Sequence, residues 1–189
     1  GAHVMYWPTG VLAQLDIVAE FHEALARLPE LDPYTLTLST LSNDQEVYLA
    51  CRNSQSPLGF TFRIGMQLPA VFTATGKMML SALSAAEVQA LLPQFPPPYT
   101  ERSVQSHTEL ADELAGCRRQ GYALDDGQLR RGMHCFGTAV FDHAGQARFG
   151  VAASLIEAEA DEKTRQHLVD GLKKLAAQLT RTLGGQLPA

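Results

Sequence analysis

Two short runs hold most of the residues in this chain whose types and spacing suit chemistry. Thr73-Ala74-Thr75-Gly76-Lys77 opens a helix, and Gly132-Met133-His134-Cys135 opens an apolar strand. A helix start presents unpaired N–H groups and a partial positive charge, which makes it a ready anion site. Ala74, Thr75 and Gly76 are small enough for a ligand to approach the backbone. A carboxylate fits there better than a cation. The plainer reading is that Thr73 or Thr75 simply caps the helix.

The strands that follow supply a second wall. Side chains on a strand alternate between faces. Met133, Cys135, Gly137 and Ala139 share one face, and His134, Phe136, Thr138 and Val140 share the other. In the next strand Gly150, Ala152 and Ser154 oppose Phe149, Val151, Ala153 and Leu155. If the two small faces coincide, the sheet has a bulky side for the terminal helices and a hollow side. Close-packed interiors do not leave such space idle, so a hollow lined by Cys135, Ala152 and Ser154 reads either as a ligand pocket or as the seat of a closely packed helix.

Asp125 ends a short apolar strand and precedes Asp126-Gly127. It reads either as a turn residue or as an acceptor for a ligand hydroxyl. Cys135 invites comparison with a catalytic nucleophile, but neighbouring His134 points to the opposite face and is poorly placed to activate it. Cys135, Asp125 and His134 lack the spacing of a metal site. The sequence therefore calls for no catalytic residue, metal or cofactor.

At 189 residues and 46% hydrophobic, the chain has one domain's length and can bury a sizeable core. A net charge of -5 gives no electrostatic case for nucleic-acid binding by these residues. No apolar run is long enough for a membrane span, and no secretory signal is visible. Three cysteines, Cys51, Cys117 and Cys135, have neither disulfide nor zinc spacing, so the expected setting is reducing and cytoplasmic. Residues 1–8 read as a linker or cloning remnant.

The order of elements must position these groups. Residues 9–28 read as an amphipathic helix, with Val11, Leu15, Val18 and Leu25 on one stripe widened by Ile17, Phe21 and Leu28. Residues 34–51 read as a hairpin turning at Ser42-Asn43-Asp44, and 59–64 as a third strand before a turn at Gly65 and Pro69. A helix follows over 75–83. Capping boxes at Ser84-x-x-Glu87 and Ser106-x-x-Glu109 start two more, the latter ending at Gly121 with Leu110, Leu114 and Cys117 inward. Strands at 122–125, 133–141 and 147–156 precede a last helix over about 161–183, striped by Leu168, Leu172, Leu175, Leu179 and Leu183. Hairpin-joined strands flanked by helices imply an α+β fold with an antiparallel sheet.

At these residues the chain resembles the effector-binding domain of the IclR family of bacterial transcription regulators, over nearly all of residues 9–184. The resemblance rests on ordered pieces. Arg63-Ile64-Gly65 and Leu68-Pro69 lead into the Thr73–Lys77 run, Gly121-Tyr122-Ala123 precedes Asp125-Asp126, and Gly132-Met133-His134-Cys135 runs into Ala139-Val140-Phe141-Asp142. Thr182-Leu183-Gly184 closes the last helix.

The resemblance implies a GAF-like fold over residues 9–185 that senses a small organic or aromatic acid. It implies ligand contacts at Ala74, Thr75 and Gly76 before and within the Gly-Lys helix, at Asp125, at Cys135, and at Ala152 and Ser154. It also implies a homodimer or homotetramer, and DNA binding only through an N-terminal winged helix-turn-helix domain; no basic recognition helix precedes residue 9. Some members have serine at the position of Ala152 and glycine at that of Ala74, and an acidic pair commonly stands where this chain has Gly127-Gln128. These departures imply a less polar pocket and a somewhat larger or more apolar acid. Two other readings stand beside this one: a structural dimerisation domain with a vestigial pocket, and an enzyme using Cys135.

Overall fold

A six-stranded antiparallel sheet organises the chain, in the order β3-β2-β1-β6-β5-β4. The computed structural model describes residues 9–56 and 60–189, with side chains from residue 14 onward. The side chain of Val11, Gly59 and the expected linker at 1–8 therefore lie outside what is described. The elements in chain order are α1 (Thr9–Ala26), β1 (Thr35–Ser42), β2 (Gln45–Arg52), β3 (Gln67–Pro69), α2 (Ala74–Ser81), α3 (Ala85–Leu91), α4 (His107–Gln120), β4 (Ala123–Asp125), β5 (Met133–Phe141), β6 (Ala147–Ile156) and α5 (Glu162–Thr182). The architecture is α+β, as the hairpin pattern implies. Among the described residues no helix is long and apolar enough to cross a membrane.

The caps explain the helix boundaries. Ser84 and Glu87 form a complete capping box at α3. At α4 the Ser106 hydroxyl accepts from Glu109 N–H, while the Glu109 carboxylate reaches back one residue further, to Gln105 N–H. Gly121 ends α4 in the left-handed region that glycine tolerates.

Two expectations need correction. Residues 60–64 are not a strand. Their backbone groups bond to side chains, Phe62 N–H to Asn53 Oδ1 and Phe60 O to Thr35 Oγ1, and strand pairing resumes only at β3, where a turn was expected. On α1 the buried stripe is Ile17, Phe21, Ala24 and Leu25, whereas Leu15 is 63% exposed. Leu15 lies two residues before Ile17, about 200° around the helix from it, and so faces away from the sheet.

The register brings the small faces together. Cys135 pairs with Ser154, Gly137 with Ala152 and Ala139 with Gly150. The same face continues through Thr35, Thr37 and Ser39 of β1 and through Asp125 and Ala123 of β4. The opposite face carries Leu36, Leu38, Phe136, Val140, Phe149, Val151 and Leu155, which form one core with the apolar stripes of α1 and α5.

Of the two expected uses of the small face, the seat of a closely packed helix is realised at its glycines. The start of α2 packs on its glycines. A Cβ at Gly137 would lie 2.9 Å from Thr75 N, and one at Gly150 would lie 2.6 Å from Thr75 Cβ. Every residue of α2 is buried. We expect Gly150→Ala to cost about 1–3 kcal/mol through this overpacking, read as a lower denaturation midpoint with an unchanged denaturant slope.

Candidate functional site

The site grows from the first turn of α2. Thr73 has extended backbone (φ -101°, ψ 149°), and its hydroxyl accepts from Gly76 N–H at 3.0 Å. Thr73 is therefore the N-cap. The room expected for a ligand at Gly76 is taken by the chain itself, because the Ala70 carbonyl and Thr73 hydroxyl fill the space a Cβ would need. The remaining donors of the turn are different. Among the described residues, the N–H groups of Ala74 and Thr75 make no hydrogen bond. They are the orphan donors that an incoming anion would satisfy.

Asp125 serves the turn with one oxygen and leaves the other free. Its Oδ1 accepts from Gly127 N–H at 3.1 Å and Gln128 N–H at 2.7 Å. Its Oδ2 is buried and has no partner among the described residues. A buried polar atom without a partner is costly. Burial lifts the carboxyl to about 6, against the opposing pull of the Lys77 ammonium and three backbone N–H groups. Lys77 is itself buried and pairs with Glu113 at 3.4 Å, and Glu113 accepts from Gln128 Nε2 at 2.5 Å. The cation of the helix motif is thus tied to the turn that carries Asp125.

Cys135 lies opposite Asp125, with its Sγ 3.1 Å from Ser154 Oγ. Burial raises the thiol well above its ordinary range, followed by the negative charge of Asp125. Such a thiol stays protonated near neutral pH and is a poor nucleophile. His134 points to the other side of the sheet, 3.9 Å from Glu157. Among the described residues no group of three or more His, Cys, Asp or Glu is placed to hold a metal.

Ala152 and Ser154 complete the floor. Cys135, Ala152 and Ser154 keep 5–7% exposure, whereas Val151 and Ala153 on the opposite face keep none. Small accessible space therefore adjoins these three side chains.

Several residues of this wall were not picked out in the sequence. Tyr48 and Phe62 stack at 5.0 Å between ring centres. Phe60 O accepts from Thr35 Oγ1, and Phe62 O accepts from Cys51 Sγ, so residues 60–62 cover the β1–β2 end of the face. The alternation of Thr35, Thr37 and Ser39 with Leu36 and Leu38 was the available signal for a polar inner face on β1. A wider groove of about 650 Å³ opens elsewhere, where α2 and α4 end against α5. Met78, Arg118, Thr138 and Lys173 line it, and it includes none of the expected site residues.

The family of bacterial transcriptional regulator IclR C-terminal domains matches residues 9–181. The chain belongs to this family. It is 27% identical to the HTH-type transcriptional regulator XynR of Escherichia coli, over 92% of this chain and 69% of that protein. It is 28% identical to the HTH-type transcriptional regulator KdgR of Dickeya chrysanthemi, over 92% of this chain and 57% of that protein. The chain thus spans little more than half the length of that second relative. Among solved structures, the Agobacterium tumefaciens repressor BlcR superposes with a TM-score of 0.86 at 46% identity, covering 99% of this chain and 75% of that one. These relatives are regulators, and the chain is an effector-sensing regulatory domain rather than an enzyme.

The raised carboxyl of Asp125 makes stability depend on pH. The folded state holds this proton more tightly than the unfolded chain does, so its contribution is complete below about pH 4 and is lost as pH rises through about 6. The change amounts to about 3 kcal/mol. Asp125→Asn keeps an oxygen for the turn and should flatten the fall in unfolding free energy between pH 4 and 7.

Proposed function

We propose that this domain senses a small carboxylic acid that also carries a hydrogen-bond donor. The unpartnered Asp125 Oδ2 carries the reading, because a buried acceptor calls for a donor from the ligand. The free N–H groups of Ala74 and Thr75 supply the complementary anion site. Cys135, Ala152 and Ser154 form the floor, and their small size sets the ligand's width. Gly76 acts indirectly, by seating the turn that presents the two donors. The ligand's hydroxyl, or an equivalent donor, meets Asp125, and its apolar part lies along the small face.

The domain occupies residues 9–185, with 1–8 as a linker or cloning remnant. DNA contact belongs to an N-terminal winged helix-turn-helix domain in the parent regulator. The parent is a cytoplasmic homodimer or homotetramer, and the exposed Leu15 of α1 is a candidate interface residue. Effector binding shifts the geometry of that assembly by favouring one of its states.

A thermal-shift screen of hydroxy and aromatic acids tests the site. A ligand at 100 times its dissociation constant should stabilise the domain by about 2.7 kcal/mol, a shift of roughly 5–10 °C at this chain length. The shift should be lost in Asp125→Ala and weakened in Cys135→Ser. A hit retained in full by both variants would move the pocket elsewhere.

A further inference from the structure

Glu46 is a buried acid for which neither the turn chemistry nor the core packing accounts. It lies on β2 with no exposed surface. Its Oε1 accepts from Ser39 Oγ at 2.5 Å and from Thr75 Oγ1. Ser39 Oγ also approaches Thr75 Oγ1 at 3.1 Å, closing a triangle. Its Oε2 has no hydrogen-bond partner among the described residues. Thr75 is thus gripped from two sides, by Glu46 at its hydroxyl and by the bare Cα of Gly150 at its Cβ. It is also the residue whose free N–H belongs to the proposed anion site.

The charge balance around this triangle is one-sided. The groups that act on one another through space here are Asp125 at the end of β4, Cys135 on β5 and Tyr48 on β2. All three are neutral or negative. The nearby cation on α2, Lys77, is paired with Glu113. The hydrogen bonds from Ser39 and Thr75 favour the carboxylate, but burial is the larger influence and raises the carboxyl above its ordinary range. An ionised Glu46 would place a negative charge beside the positive end of α2, where the effector's carboxylate is to sit. A protonated Glu46 keeps the grip on Thr75 and leaves that positive end uncompensated.

We infer that Glu46 is the positioning residue of the anion site: its carboxyl fixes Thr75 at the start of α2, and an effector carboxylate bound there favours the protonated over the ionised form of Glu46. The inference rests on the proposed reading of the α2 start as the carboxylate site. By linkage, an anion bound there stabilises the protonated form of Glu46, and binding weakens as pH rises.

Formate, ionised at every pH used, is a suitable probe. Its binding is followed by the amide shifts of Ala74 and Thr75 between pH 5.5 and 8.5. An Asp125→Asn background removes the other buried carboxyl. In that background formate should bind at least tenfold more weakly at the upper pH. Adding Glu46→Gln should abolish most of this dependence while keeping the acid-limit affinity. Ser39→Ala, which removes one donor to Glu46, should shift the pH profile upward without removing it. Formate shifts at both amides with the same pH profile with and without Glu46→Gln would overturn the inference and leave the anion site standing. Formate shifts at neither amide would instead remove the anion site. In that case the ligand-free pH titration of the Thr75 amide still reports on the Glu46 contact; a titration unchanged by Glu46→Gln would overturn that too.

Discussion

The fit of one helix turn into two glycines underlies the rest of this fold. Gly137 and Gly150 leave a notch in the sheet, and Ala74 and Thr75 fill it. The backbone of α2 comes so close that its first N–H groups lie against the strands instead of in water. This placement turns an ordinary capped helix into a buried, partly unsatisfied one. It also fixes the role of each neighbour. Thr73 satisfies one donor, Glu46 holds the Thr75 side chain, and Lys77 carries the helix's charge across to the turn at Asp125. A helix packed farther from the sheet would expose those donors to solvent.

Much of this arrangement was legible because it follows from periodicity. The period-2 split of Cys135, Gly137 and Ala139 from Phe136 and Val140 placed the two faces correctly, and the antiparallel hairpin fixed which small residues meet. The stripes of α4 and α5 followed in the same way, as did the boundaries set by Ser84, Ser106 and Gly121. What stayed hidden depends on contacts far apart in the chain. Nothing near Glu46 in sequence announces that its carboxyl will lie beneath Thr75. Phe60 and Phe62 alternate as a strand would, yet they belong to a covering loop, because Phe62 bonds to the Asn53 and Cys51 side chains and Phe60 to the Thr35 hydroxyl instead of to a neighbouring strand's backbone.

The irregularity in β2 belongs with these hidden features. Leu38 pairs with Ala50 and Ser39 with Tyr48, so Leu49 is an extra residue in the ladder. Such a bulge reverses the alternation of side chains beyond it. Glu46 and Tyr48 before it share the inner face with Cys51 after it, which strict alternation would not allow. The polar triangle and the Cys51–Phe62 contact both use this face, so one inserted residue serves two distant parts of the same wall.

The complete burial of α2 has a consequence for how regulators with this domain diversify. All eight of its residues are buried against the rest of the protein, so a change at any of them disturbs packing before it alters recognition. Ala152 and Ser154 instead border the small space beside Cys135, and Phe60 and Thr61 in the cover keep more exposure than any residue of α2. A mutational library aimed at a new inducer should therefore hold the helix constant and vary those positions, treating α2 as a fixed electrode and the surrounding surface as the interchangeable lock.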